Sequence, residues 1–408
     1  MSGKKYFFLI LILGTLTALA PFSIDMYLPG FTAIAKDLHT NTASISLTLT
    51  GFFLGFCFGQ LLYGPLLDRF GRKPPLYVGL TLYIIASVAC AFTHSINHLI
   101  VFRCLQALGS CAASVTAMAL VRDLFPVEDS AKIFALLILV LGASPLIAPT
   151  IGGYVTAAFG WHYVFVILTT IAVVLLLASI FFLPDVYQPN KELSLKPVPI
   201  IKGFWAVFTE PQFYTYSFTC SIAFAGLFVY VSGSPLIFMN LFGLSPKVYG
   251  WVFGFLSIGF IGSSQLNNLL VRKFKSEEIV RVALIAFSIV GTCFFLLSWF
   301  KRIDLSLTIL FLFLSLACIG ITAPNASALC LAPFAQNAGT AASLMGAIQM
   351  GIGAAVSAFV SLFNVPSTVP VSCAIAASAI LASIVLFIGK RSIVRPVEKE
   401  NEVMAGMH

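Results

Sequence analysis

The sequence predicts an all-α polytopic membrane protein with twelve membrane-spanning helices in two six-helix bundles. Of the 408 residues, 59% are hydrophobic and 9% are charged, whereas a soluble domain carries roughly a quarter charged residues. Apolar runs of about 20 residues recur along the whole chain, and each is long enough to cross a hydrocarbon layer of ~30 Å as a helix. The longest polar connection falls in the middle of these runs.

The twelve runs are separated by short turns that are charged or contain Pro, Gly or Asn. They cover approximately residues 6–35, 42–66, 75–93, 98–121, 131–158, 163–183, 212–241, 247–271, 279–300, 305–331, 339–363 and 369–389. The polar connection between the sixth and seventh runs predicts a first bundle over residues 1–184, a cytoplasmic linker over 185–208 and a second bundle over 209–408 with a short cytoplasmic tail. Two related sets of six helices are the layout of a transporter.

The basic residues predict the orientation of the chain. Eighteen of the 23 Lys and Arg residues fall on the face that holds both termini, and four (Lys36, Lys247, Lys301 and Arg302) fall on the opposite face. Because positive charge stays inside, both termini are predicted to be cytoplasmic. The same rule explains the net charge of +8, since no aromatic and basic platform of the kind that binds nucleic acid surrounds these residues.

The first 20 residues imitate a cleavable signal peptide, with Lys4 and Lys5 before an apolar stretch and Ala18-Leu19-Ala20 after it. Cleavage there would leave eleven spans and put the termini on opposite faces, in conflict with the basic C-terminal tail. We therefore expect the segment to remain as the first span. The nine cysteines show no metal-ligand spacing and are expected to be small core residues.

The strongest local signal is GPLLDRFGRKP, residues 64–74, in the turn between the second and third runs. Five positions carry it: Gly64, Asp68, Arg69, Gly71 and Arg72. Gly64 allows helices to approach closely, and Gly71 allows a tight turn. Asp68 can accept hydrogen bonds from the basic side chains beside it. The alternative is a solvated basic turn that only sets the topology.

Two further segments lie in the fourth and fifth runs. The first is RCLQALGSCAAS, which begins at Arg103, and the second is SPLIAPTIGG, residues 144–153. The second follows the pattern GxxxGPxxGG, in which Pro149, Gly152 and Gly153 stand and Ser144 and Ala148 replace glycines. Small residues allow close helix packing and proline allows a bend. Ordinary small-residue packing is the alternative explanation.

With Asp25-Met26-Tyr27-Leu28-Pro29 in the first run, these motifs resemble those of the major facilitator superfamily, and within it the Bcr/CflA group of drug:proton antiporters. Residues 64–74 resemble the conformational-switch loop of that family, Arg103 its fourth-span motif in proton-coupled members, and residues 144–153 its antiporter motif. The resemblance implies the major facilitator fold and proton-coupled efflux of a drug or antibiotic across a bacterial inner membrane. The second half of the chain resembles the family in layout only.

Asp25 and Arg103 are the charged residues that lie deep inside predicted spans, away from the span ends. Counted inward from the outer ends of their spans, they lie about 10 and 5 residues deep, or ~15 and ~8 Å at ~1.5 Å per residue. A charge at membrane depth costs ~2.5–3.5 kcal/mol on insertion scales, so the two residues suggest function. Burial favours the protonated form of a carboxylate and a nearby guanidinium opposes it. We predict that Asp25 carries the coupling proton with Arg103 nearby; the alternative is a static ion pair.

The remaining polar side chains in the spans are weaker candidates. Five are predicted to line a substrate cavity, although helix contacts use the same residue types: Tyr27, Tyr230, Asn240, Asn325 and Gln349. Met and Phe are expected mainly on lipid-facing and packing surfaces. Arg122 and Asp123, at the cytoplasmic end of the fourth span, are predicted to complete a charged network with the loop at residues 64–73.

A membrane-embedded enzyme is the competing class. Four histidines fall on outer turns and His408 ends the chain, and no GxxxxGK[ST] phosphate loop is present. We therefore predict no catalytic site, no metal and no cofactor.

The predicted partners are protons, a small amphiphilic drug and the lipid bilayer, and the chain is expected to be a monomer. A proton-coupled importer of a small metabolite is the alternative among transporters. A single buried acid favours monocations or neutral amphiphiles over dications.

Overall fold

The computed structural model describes residues 3–125, 127–184, 187, 189–190, 195–334, 337–363 and 367–393, and all regular secondary structure in these ranges is helical. The first half contains α1 (Gly3–Asp25), α2 (Phe31–Asp37), α3 (Thr42–Phe70), α4 (Lys73–Ala91), α5 (Ile96–Leu124), α6 (Val127–Phe159) and α7 (His162–Phe182). The second contains α8 (Pro197–Phe208), α9 (Pro211–Pro235), α10 (Pro246–Leu270), α11 (Ser276–Trp299), α12 (Leu305–Leu331), α13 (Ala338–Ser361) and α14 (Val369–Gly389).

The twelve predicted spans all form helices with ends within a few residues of those expected. Among the described residues, eleven helical segments are long and apolar enough to cross a membrane. The predicted eighth span, α10, has 25 residues but is not one of the eleven. Its second half carries Ser263, Gln265, Asn267 and Asn268, which lower its hydropathy, and Ser263 and Asn267 are buried against the protein. Tertiary packing along α6 and α12 accommodates this more polar helix.

The two halves of the chain repeat one packing pattern. In the first half α1 packs against α5, α6 and α7, and α5 packs against α3 and α4. In the second half α9 packs against α12, α13 and α14, and α12 packs against α10 and α11. Two helix pairs join the halves, α3 with α13 and α6 with α10. The protein is thus an all-α membrane protein in which corresponding helices have corresponding neighbours.

The first predicted span is not one continuous helix. α1 ends at Asp25, a 3₁₀ turn covers Leu28–Gly30, and α2 follows. Pro29 explains the break, because it has no N–H to donate to the carbonyl oxygen of Asp25 four residues earlier. The corresponding helix of the second half, α9, also ends irregularly, in a π-helical turn at Leu236–Leu241 after Pro235. The sequence contains both prolines, but the sequence analysis did not identify these two interruptions.

The linker between the halves contains a helix that the sequence analysis missed. α8 has 12 residues, and its Ile201 and Trp205 side chains are 62% and 63% exposed. Ahead of α8, the backbone N–H of Asn190 donates to the carbonyl oxygen of Asp68 at 3.0 Å. The linker therefore contacts the turn between α3 and α4. Residues 185, 186, 188 and 191–194 of the linker, and the predicted cytoplasmic tail from residue 394, lie outside the described residues.

Candidate substrate cavity and proton-coupling site

A cavity of about 590 Å³ lies between the two halves. The first half contributes Asp25 and Phe53 to its wall, and the second half contributes Phe228 and Tyr230. The lining continues to Arg122, at the end of α5 on the face that holds the termini. The cavity therefore extends from the centre of the protein toward that face.

Contacts between the halves close the opposite end. The side-chain amide of Asn240 donates to Thr42 Oγ1 at 3.1 Å. The Ser46 hydroxyl donates to the carbonyl oxygen of Ser232 at 3.1 Å. The backbone of Gly153 packs directly on that of Pro246, where an added Cβ would overlap the carbonyl oxygen. The cavity is thus accessible from one face of the protein and closed at the other.

Aromatic rings form much of the cavity wall. The rings of Phe53 and Phe228 meet across the two halves with centroids 4.8 Å apart, and Tyr230 stacks on Phe253 with centroids 5.0 Å apart. All four residues line the cavity. The sequence analysis predicted Tyr230 in the wall, but it assigned phenylalanines mainly to lipid-facing and packing surfaces and so missed Phe53, Phe228 and Phe253. Phenylalanine is so abundant in the spans that its identity alone does not separate a wall residue from a lipid contact.

Asp25 lines the same cavity as these rings. Its side chain is 6% exposed and forms no hydrogen bond or ion pair with any other described residue. It sits at the last helical position of α1, beside the break that Pro29 produces. Tyr230, from the second half, belongs to the same cavity lining as Asp25. Asp25 therefore faces the second half across the cavity.

Arg103 is buried in the core of the first half rather than paired with Asp25. It is 0% exposed, and its Nη1 donates to Gln106 Oε1. The guanidinium carbon lies 4.6 Å from the ring centre of Tyr27 and 4.5 Å from that of Phe52. Its Nε and Nη2 have no hydrogen-bond partner among the described residues. The alternative of a static Asp25–Arg103 ion pair does not describe this structure, in which aromatic faces replace the carboxylate.

Of the five polar residues predicted to line the cavity, the structure places only Tyr230 in its wall. The Tyr27 hydroxyl lies 3.0 Å from Thr48 Oγ1, and its ring faces Arg103.

Asn240 joins the halves at the closed end. Asn325 Nδ2 donates to Asn267 Oδ1 at 2.7 Å and so joins α12 to α10. Gln349 is not part of the described lining, although its neighbour Met350 is. Most of these polar groups therefore form hydrogen bonds between helices and do not line the cavity.

The loop at residues 64–74 forms an ion-pair network around Arg72. The Nε of Arg72 donates to Asp123 Oδ2 at 2.6 Å, and the Nη1 of Arg72 donates to Asp68 Oδ1 at 2.9 Å. Asp123 thus joins the loop to α5 as expected, whereas Arg122 is exposed at the cavity mouth and forms no ion pair with the described residues. The Tyr187 ring of the linker covers the Arg72 guanidinium at 3.7 Å.

The two glycines of the loop have different roles. Gly71 ends α3 with φ = +87°, a conformation that favours glycine, and this agrees with the predicted tight turn. Gly64 needs no close approach, because an added Cβ would lie 3.5 Å from Ser343 Oγ, an ordinary contact. The reason given for Gly64 was therefore wrong. Arg69 belongs to the same loop and is engaged in an interaction of its own.

The motif in α6 shapes the backbone beside Asp25. A Cβ added at Gly152 would overlap the carbonyl group of Met26, so Gly152 lets α6 pack on the chain at the break in the first span. Ala148 is fully buried. The Pro149 carbonyl oxygen lies against Gly250 of α10. The Ser144 hydroxyl is buried and has no hydrogen-bond partner in the part of the chain that the structure describes. Small residues in this motif therefore allow contact with both halves.

A helical membrane protein with two equivalent halves around a central cavity, open toward one face, has the architecture of an alternating-access transporter. The chain belongs to the Major Facilitator Superfamily, whose family model matches residues 13–358. It is 30% identical to the bicyclomycin resistance protein homolog of Haemophilus influenzae, over 93% of this chain and 95% of that protein. It is 26% identical to the multidrug resistance protein MdtL of Klebsiella pneumoniae, over 82% and 83% of the two chains.

Solved structures show the same fold. A bacterial homolog of the human lysosomal transporter Spinster, in an inward-facing and occupied conformation, superposes with a TM-score of 0.74. The alignment has 12% identity and covers 98% of this chain and 100% of the other. A D-xylose–proton symporter superposes with a TM-score of 0.68 at 16% identity, over 92% of this chain and 97% of the symporter.

Proposed function

We propose that the protein exports small amphiphilic drugs by exchanging them for protons, through alternating access of one central cavity. One observation carries this proposal: of the three carboxylates that line the cavity, Asp68 and Asp123 pair with Arg72, whereas Asp25 forms no hydrogen bond or ion pair with any described residue. Aromatic walls bind apolar and cationic ring systems, and a carboxylate can hold either a proton or a cation there. The names of the relatives, which refer to resistance to bicyclomycin and to multiple drugs, support this substrate class.

In this proposal Asp25 carries the coupling proton. A carboxylate that is buried without a cation holds a proton more readily than one beside a guanidinium. Arg103, in the same half, has two guanidinium nitrogens, Nε and Nη2, without a hydrogen-bond partner among the described residues, and it supplies such a guanidinium if Asp25 moves toward it. The break at Pro29 allows the chain around Asp25 to adjust separately from α1. Binding of drug in the cavity then favours release of the proton.

The proposal also sets the geometry of transport. The chain is a monomer in a bacterial inner membrane with cytoplasmic termini, so the open face of the cavity is the cytoplasmic one. Residues 1–184 and 209–408 act as two bundles that rock about the cavity, and residues 185–208 connect them. The Arg72 network controls the equilibrium between the two access states. The small residues of α6 provide the sliding contacts.

The test is drug-induced proton release from the detergent-purified protein, combined with drug transport in inside-out vesicles. Asp25→Asn keeps the shape of the side chain but removes the titratable group, so we expect drug binding to remain while proton release and pH-driven transport are lost. Asp37→Asn is the matched control, because Asp37 is an exposed acid at the outer end of the same span. It should release protons as the unmodified protein does.

Two outcomes would overturn the proposal. Undiminished proton release from Asp25→Asn would remove Asp25 from the coupling step. Accumulation in right-side-out vesicles under an inward proton gradient, with no accumulation in inside-out vesicles, would instead identify an importer of a small metabolite. A panel of phenicol, bicyclomycin-like and monocationic drugs in a pump-deficient host, with and without a protonophore, identifies the substrate.

A further inference from the structure

A second cavity lies on the outer surface of the second half, in a groove between α11 and α14, with a volume of about 1200 Å³. Its walls are mostly apolar side chains at membrane depth, and several of them are exposed: Ile285, Ile289, Ile380, Ile384 and Phe387. A hydrogen-bonding distance of 3.0 Å separates the Ser288 and Ser383 hydroxyls, which join the two helices in the groove. The groove is separate from the central cavity and faces the lipid.

One end of the groove carries three cationic residues. Arg281, Lys390 and Arg391 all belong to its lining, at the start of α11 and just after the end of α14. Lys390 Nζ pairs with Glu277 Oε2 at 2.8 Å. Arg281 has no acidic partner among the described residues, and Arg391 lies over the Phe387 ring at 5.1 Å. Within the described part of the chain, these two guanidinium groups are therefore available to an anion at this end.

The length of the groove matches one lipid leaflet. Its lining on α11 runs from Arg281 to Cys293, and the twelve helical steps between these residues span ~18 Å at ~1.5 Å per step. Half of a hydrocarbon layer is about 15 Å thick. The cationic end lies on the face that holds most of the Lys and Arg residues, where anionic headgroups attract juxtamembrane cations. The apolar walls then extend toward the middle of the membrane.

We propose that this groove is a binding site for one anionic phospholipid of the leaflet on the side of the termini. The phosphate contacts Arg281 and Arg391, and an acyl chain lies along the isoleucines of α11 and α14. Lys390 is held in place by Glu277, so it adds positive potential without being the main contact. The site is independent of the drug and the proton, because no residue of the central cavity takes part in it.

The experiment is a titration of the delipidated, detergent-purified protein with phosphatidylglycerol or phosphatidylcholine, followed by native mass spectrometry and thermal unfolding. The test variant is Arg281→Gln with Arg391→Gln. Lys301→Gln with Arg302→Gln is the matched control, since both of those residues are exposed cations on the opposite face. A juxtamembrane cation contributes about 1 kcal/mol, so we expect phosphatidylglycerol to bind about fivefold more weakly for each arginine removed and roughly 25-fold more weakly in the double variant.

The unmodified protein provides a second measurement that does not depend on a variant folding. Cys293 and Cys373 are both exposed, but only Cys293 belongs to the groove lining. Phosphatidylglycerol should slow the reaction of Cys293 with N-ethylmaleimide and leave that of Cys373 unchanged. Equal binding of phosphatidylglycerol to the double variant and its control would overturn the proposal. Equal binding of the two lipids, or equal protection of the two cysteines, would also overturn it.

Discussion

The two halves of this protein share a packing pattern but differ in buried charge. Asp25 and Arg103, the charged residues buried at membrane depth, both belong to the first half. Among the described residues of α9 to α14, no Asp, Glu, Lys or Arg is buried. The second half instead buries hydroxyls and amides, such as those of Tyr230 and Asn325. Helix packing therefore does not require the charges, because the same arrangement forms without them.

This difference assigns separate tasks to the two halves. A charge held at membrane depth costs ~2.5–3.5 kcal/mol on insertion scales. The first half contains two such residues, Asp25 and Arg103. The second half supplies aromatic and hydroxyl groups opposite Asp25, which shape the cavity without titrating. We infer that proton chemistry belongs to the first half and that the second half contributes mainly to substrate fit. The predictions below test that division.

The largest expected effect is complete loss of transport in Arg103→Met without loss of the fold. Removing the charge saves about 3 kcal/mol of burial cost, but it also removes a charged hydrogen bond of about 2 kcal/mol and a cation–π contact of up to about 2 kcal/mol. These contributions nearly cancel, so the free energy of unfolding should change by about 1 kcal/mol or less. Vesicle transport and thermal unfolding measure the two effects. A strongly destabilised variant that still transports would show that Arg103 is a structural residue.

A large effect on stability is expected at Gly152 and not at Gly351 of α13, the helix that corresponds to α6. In Gly152→Ala the new Cβ overlaps the Met26 carbonyl, and such overpacking costs about 1–3 kcal/mol. In Gly351→Ala the nearest atom is Cys57 Sγ at 3.7 Å, an ordinary contact. Thermal unfolding and transport should be impaired in the first variant only. Similar behaviour of both would show that the contact beside Asp25 is not special.

An intermediate effect is expected in the loop network, and it should differ between its two acids. Asp123→Asn removes the 2.6 Å partner of Arg72, and the Asp123 side chain is only 18% exposed. Asp68 is 53% exposed, and exposed ion pairs contribute little. Asp123→Asn should therefore slow transport several-fold more than Asp68→Asn, with drug affinity unchanged in both. Lys273→Gln, in the corresponding turn of the second half, is the control. A larger effect at Asp68 would contradict this order.

The smallest effect is expected at the aromatic pair that joins the halves. An aromatic contact contributes about 0.5–1.5 kcal/mol beyond area burial, so Phe228→Ala should change the relative resistance to different drugs only a few-fold. Proton release per transported drug should stay the same. Phe53→Ala and the double variant complete a thermodynamic cycle, in which non-additive effects show that the rings act together. Loss of proton coupling in Phe228→Ala would contradict the division of tasks between the halves.

The sequence by itself determined the membrane class, the twelve spans and the helix ends to within a few residues. Spans are predictable because a helix that crosses lipid must satisfy its backbone hydrogen bonds internally, which leaves the length of the apolar run as the main variable. The sequence also indicated the loop around Arg72 and the buried residues Asp25 and Arg103. Charges at membrane depth are conspicuous against an apolar background, whatever their partners.

Only the tertiary structure decided which of these groups meet. Asp25 lies in the cavity without a hydrogen-bond or ion-pair partner among the described residues, whereas Arg103 lies among aromatic rings, although both belong to the same half. Four of the five polar residues expected in the cavity lie elsewhere, and phenylalanines form much of the wall. Hydropathy reports how apolar a helix is, but neighbouring helices determine which face of it meets lipid, protein or cavity. That choice depends on contacts between residues far apart in the chain, such as Phe53 and Phe228.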